Sequence, residues 1–135
     1  MGDYIATAKT SYVKIKDVGA FKEWMRIRNR GYEIIGLLRK IYHDYGELYA
    51  LTFPEGTGIP YINGDGDEFD IFEEVQGYIE PSWAMIFMEV GSDEGRFLLG
   101  TVSVVTPREV RHHSLSCWVN ETLNKLDNPH SIEFW

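Results

Sequence analysis

The chain has a single cysteine, Cys117, so no disulfide can close within it, and a reducing compartment such as the cytoplasm is expected. It has no long apolar run: the stretch at Ala84–Met88 falls far short of the ~20 residues a membrane-spanning helix needs. Its opening residues, MGDYIATAKTS, lack the apolar centre of a secretory leader, and Ala6 stands where a myristoylation signal carries Ser or Thr. CxxC, HExxH, P-loop and GxGxxG spacings are all missing, so no catalytic residue, metal or cofactor is expected. Finally, between Ile41 and Gly95 there is no Lys or Arg, against thirteen acids.

What is present suffices for one domain over residues 1–135. A chain of 135 residues, 44% hydrophobic and 14% aromatic, can bury a core without metal or disulfide support. The net charge is −8, unevenly spread. Residues 1–45 hold nine bases (Lys9, Lys14, Lys16, Lys22, Arg26, Arg28, Arg30, Arg39, Lys40) against five acids, and the remaining residues hold four bases against sixteen acids. Such asymmetry speaks to partners rather than to fold.

Periodicity gives the elements. Thr10–Lys16 alternates, with Val13 and Ile15 on one side and Tyr12, Lys14 and Lys16 on the other, and predicts a strand. Asp17 is a suitable N-cap for a helix to about Asn29, with Phe21, Trp24 and Met25 inward and Gly31 as the stop. Glu33–Tyr42 and Glu47–Phe53 predict a hairpin through His43-Asp44-Tyr45-Gly46. A second helix is predicted over Glu68–Ile79, with Phe69, Phe72, Val75 and Ile79 inward and Pro81 ending it. Trp83–Val90 predicts a central strand, Ser92–Gly95 a turn, Arg96–Thr106 a returning strand, and Ser116–Leu126 a helix with Leu115, Trp118, Val119 and Leu123 as its apolar stripe. The fold class is α+β: an antiparallel sheet of about five strands with three packed helices, in the order β-α-β-β-α-β-β-α.

Asn63, Asp65, Asp67 and Glu74 occupy positions 1, 3, 5 and 12 of a calcium-loop frame. The frame fails at its sixth position, where Glu68 replaces the required Gly, and at its eighth, where Asp70 replaces an apolar residue. Ile59-Pro60-Tyr61 cannot be the entering helix, so Asp65 or Asp67 is read instead as a helix cap. Cys117 near His112 and His113 suggests a nucleophile and base only if the three meet in space, and a cysteine beside Trp118 is more often core filler. Lys22, Arg26 and Arg30 share a helix face, with Arg28 nearby, and could follow phosphates, but the overall charge opposes nucleic-acid binding. The acids Asp65, Asp67, Glu68, Asp70, Glu73 and Glu74, with Asp93 and Glu94 at the predicted turn, form a patch without neutralising bases, with Asp70, Glu73 and Glu74 on the outer side of the second helix. They are the candidate partner-binding residues, suited to a basic protein surface.

The segments SYVKIKDVGAFKEWM, EFDIFEEVQGYI and WAMIFMEVGSDEGRFLLGTVSVV carry Lys16, Asp17, Ala20, Phe21 and Trp24, then Met88–Gly91, then Arg96, Leu98 and Gly100. Together they resemble a family of small, mostly uncharacterised proteins of bacterial phages, plasmids and integrative elements. The resemblance covers about half the chain, and its positions are core and turn residues, so it brings no catalytic residues with it. It implies a non-enzymatic module that binds, and in some cases inhibits, a host protein such as one that handles nucleic acid. The alternatives are a small ligand- or cation-binding domain using Asn63–Glu74 and a nucleic-acid binder using the basic helix. The apolar Ile132, Phe134 and Trp135 are expected to be tied down as an edge strand or an oligomer contact.

Overall fold

A computed structural model describes residues 4–93 and 97–126. Strands β1 (Tyr4–Thr10), β2 (Gly36–Tyr42), β3 (Gly46–Thr52), β4 (Met85–Asp93), β5 (Phe97–Val105) and β6 (Val110–Ser114) form one antiparallel sheet in the order β2-β3-β1-β4-β5-β6. Helices α1 (Val18–Asn29), α2 (Ile71–Gln76) and α3 (Leu115–Lys125) complete an α+β fold. Among the described residues the sheet has six strands rather than about five, and no helix is long and apolar enough to cross a membrane.

Helix α1 begins where Asp17 Oδ1 accepts from the Ala20 N–H, and it ends as Arg30 and then Gly31 take left-handed conformations at φ 47° and 86°. Its Phe21, Trp24 and Met25 join Val13, Ile15, Tyr49, Leu51, Ile71, Val75, Ile79, Met85, Phe87 and Val105 in one core on a single face of the sheet. That face is called inner below. Burying these side chains is the main stabilising term, at roughly 1.5–3 kcal/mol for each large one.

Several boundaries depart from the periodicity. The first strand lies at Tyr4–Thr10, where Ala6, Ala8 and Thr10 are buried because they are small and central rather than because they are strongly apolar. In Thr10–Lys16 only Thr10 belongs to a strand. Val13 and Ile15 are buried as expected, but each makes a single bridge, to Tyr49 and to Ile79, stitching β3 to the segment after α2. Helix α2 spans six residues, with Asp70 as its cap and Gly77 ending it well before Pro81. Asp70 takes the Phe72 and Glu73 N–H groups, while Asp65 and Asp67 lie in a preceding loop and cap nothing. Strand β4 runs on through Ser92 and Asp93, so the expected turn there is strand, and Glu94 lies outside the described residues. Strand β6 was not expected. In α3 no residue is fully buried, and the predicted stripe is only half covered: Val119 and Leu123 are partly buried, while Leu115 and Trp118 are 59% and 57% exposed.

Candidate functional site

The acidic patch is built on the end of α1. The loop between β3 and α2 folds back on itself, with Asn63 N–H donating to the Asp67 carbonyl and Phe69 N–H to that of Tyr61. Inside it, Asn63 Oδ1 accepts from the Asp65 and Asp67 N–H groups at 2.9 Å each. The loop docks where Gly64 N–H donates to the Arg28 carbonyl at 2.7 Å, satisfying an orphan acceptor at the helix end. Only glycine fits there, because a Cβ would collide with the Asn29 carbonyl oxygen.

This docking brings bases to two of the acids, correcting the expectation that the whole patch is unneutralised and that Glu74 faces outward. Glu74 Oε1 accepts from Trp24 Nε1 at 2.8 Å and from Arg28 Nε at 2.7 Å, with the Arg28–Glu74 pair about three-quarters buried. Arg28 also lies 5.3 Å from the centroid of the Phe69 ring. Asp65 pairs with Arg30 at 3.1 Å in half-exposed surroundings, where such a pair stabilises little. The calcium frame loses both ends, since Asn63 Oδ1 serves its own loop and Glu74 serves α1. Among the described residues no cluster of three metal-ligating side chains converges. The basic helix spends Arg26 on Glu23, Arg28 on Glu74 and Arg30 on Asp65.

Four acids of the patch, Asp67, Glu68, Asp70 and Glu73, are exposed and form no ion pair among the described residues. Asp93 belongs to the far end of β4, away from this strip, and Glu94 lies outside the described residues.

Beside the strip opens a cleft of about 590 Å³. Ile59, Pro60 and Tyr61 form one wall, Phe69–Phe72 another, and Glu89, Thr101, Ser103 and His112 line its sheet side. Each oxygen of Glu89 is held: Oε1 by the Ile59 N–H at 2.5 Å, Oε2 by the Tyr4 hydroxyl at 2.7 Å. Burial, with the neighbouring Glu89 carboxylate, pushes the Tyr4 phenol up to about 12. Ser103 Oγ and His112 Nδ1 lie 2.7 Å apart, and Phe72 meets the imidazole edge-on with ring centroids 4.8 Å apart.

Cys117 and His112 line the same cleft, but among the described residues no hydrogen bond joins the thiol to either histidine. His112 pairs with Ser103 across the ladder and His113 with Val102, so the two imidazoles leave opposite faces of β6. Cys117, expected as core filler, is exposed in the first turn of α3, where its N–H donates to the capping Ser114 Oγ. The cleft itself was missed from the sequence. Its signals were present: Glu89 inside the apolar MIFMEV and Ser103 between valines are polar residues at inward positions of otherwise apolar strands. No family model matches the chain, and neither a curated protein nor a solved structure was found to match it.

Proposed function

We propose that the chain is a non-enzymatic protein-binding module, of the mobile-element kind its sequence resembles, that receives a basic partner on Asp67, Glu68, Asp70 and Glu73. The observation that carries this reading is the contrast within one patch. Asp65 and Glu74 are tied to arginines of α1, whereas the other four carboxylates stand exposed, with no ion pair among the described residues, beside an open cleft with apolar walls. Like charges held together self-repel, and a cationic partner relieves that repulsion while its side chains enter the cleft. A protein surface that ordinarily holds nucleic-acid phosphates has the required charge, so a host protein of that class is the proposed partner.

Calorimetric titration with an arginine-rich peptide tests the reading. Asp67→Asn, Glu68→Gln and Glu73→Gln together are expected to weaken binding at least about tenfold and to flatten its salt dependence. A control carrying Asp44→Asn, Glu55→Gln and Glu121→Gln has the same net charge and is expected to bind nearly as the parent does. Equal losses in the two triple variants would show that only bulk charge is at work.

A further inference from the structure

Among the described residues nothing covers the centre of the sheet's outer face. The registers of β1, β4 and β5 place Ile5, Ser92 and Leu98 in one row, Thr7, Val90 and Gly100 in the next, Lys9, Met88 and Val102 in a third, and Ile86 with Val104 in a fourth. Ile5, Ile86, Met88, Val90, Leu98 and Val104 are all exposed, Val90 at 58%. At the edge of this face, Leu115 at the start of α3 lies over Gly100, where a Cβ would come within 2.5 Å of its Cδ1. Beside it Trp118 forms, with Met88, Val90 and Val102, a shallow apolar groove of about 210 Å³.

Two unsatisfied apolar surfaces therefore sit side by side on one molecule. A helix of 11 residues is marginal alone and normally owes its stability to tertiary burial, yet α3 has no fully buried residue. The side chains of the bare rows together with Leu115 and Trp118 expose on the order of 800 Å², which is what one partner contributes to a standard stable interface. An isolated patch of that size is larger than monomers usually leave open.

We propose that a second copy of the chain covers this face. A two-fold axis lays the Leu115–Trp118 side of α3 of each copy on the Ile86–Val90 rows of the other, so that both unpartnered surfaces are buried in one isologous contact. Lys9, at the β1 side of the face, has a stem long enough to lie along the apolar rows and leave its ammonium at the rim of that contact. The core-side helix α2 and its acidic strip lie on the opposite face, so the dimer presents two strips outward, and a bivalent partner would gain avidity without any new contact. The interface is independent of the function proposed for the strip.

Analytical ultracentrifugation of the full chain from micromolar to submillimolar concentration tests this. The parent protein is expected to sediment as a dimer, and Val90→Lys, which places an unpaired ammonium in each half of the contact, is expected to weaken association at least about a hundredfold. Trp118→Ala is expected to weaken it less. In the parent, the methyl resonance of Met88 is expected to shift on dilution, a readout that needs no variant. A parent that stays monomeric overturns the proposal and leaves the face to a partner of another sequence. A parent that becomes dimeric only when residues 127–135 are removed also overturns it, since the chain's own end would then be the cover. A dimer indifferent to Val90→Lys, with an unmoved Met88 methyl, places the contact elsewhere.

Discussion

Glu74 of α2 and Arg28 of α1 meet at 2.7 Å across the two helices, about three-quarters buried, with the Trp24 indole N–H donating to the same carboxylate oxygen. One oxygen thereby serves a charge and a nearly buried donor, so its removal leaves two groups unsatisfied.

Glu74→Ala is expected to destabilise the fold by about 2 kcal/mol, or roughly 8 °C in Tm, because the indole N–H and the guanidinium both lose their acceptor. Glu74→Gln keeps an acceptor for Trp24 and should cost less. Since Arg28→Ala removes the other half of one contact, the two alanine changes combined should cost less than the sum of each alone. Thermal melts of the four proteins in the cycle check this, and strict additivity would show that the pair does not couple.

Gly64→Ala is expected to cost about 1–3 kcal/mol, since the added methyl meets the Asn29 carbonyl and forces the loop off the end of α1. Gly56→Ala, at a φ of 83° but with open space around it, should cost less because its penalty is backbone strain alone. Denaturant midpoints of the two variants compare them, and a lower midpoint for Gly56→Ala than for Gly64→Ala would contradict the docking.

The tyrosines give a pH signature. Tyr4 is pushed up to about 12 and Tyr49 is raised, in both cases first by burial and then by a carboxylate accepting the hydroxyl hydrogen bond, Glu89 for Tyr4 and Glu47 for Tyr49. Each phenol holds its proton more tightly folded than unfolded. The stability from both is therefore complete below the unfolded value near ~10 and is lost as pH rises through the folded values. Ultraviolet titration should show late ionisation that Tyr4→Phe and Tyr49→Phe each reduce, together with a falling melting temperature above pH ~10. Late ionisation unchanged by either substitution, or none in the folded protein, would contradict both placements.

Local chemistry explains what was legible in the sequence. Asp17 and Gly31 bracket α1 because caps are read by the nearest backbone, and the Tyr42–Gly46 hairpin and the central position of β4 follow from turn residues and an unbroken apolar run. Strand β1 escaped because Ala6 and Ala8 carry almost no hydrophobic signal, and β6 because Arg111 and His113 alternate with a histidine that serves a cleft. The acids were visible, but their partners were not: Arg28 stands 46 positions before Glu74, and charge counted along the chain says nothing of who meets whom. The cleft needs Glu89, Ser103 and His112 from three neighbouring strands, and only strand order and register bring them together.

The most direct test of the strip as a binding surface is an amide-resolved NMR titration of the isotope-labelled protein with an arginine-rich peptide at low and high salt. Shifts are expected only at Tyr61, Asp67–Glu73 and the cleft residues Ser103 and His112, fading as salt rises. Shifts spread evenly over distant acids such as Asp44, Glu55 and Glu121, or none at all, would contradict a binding role for the strip.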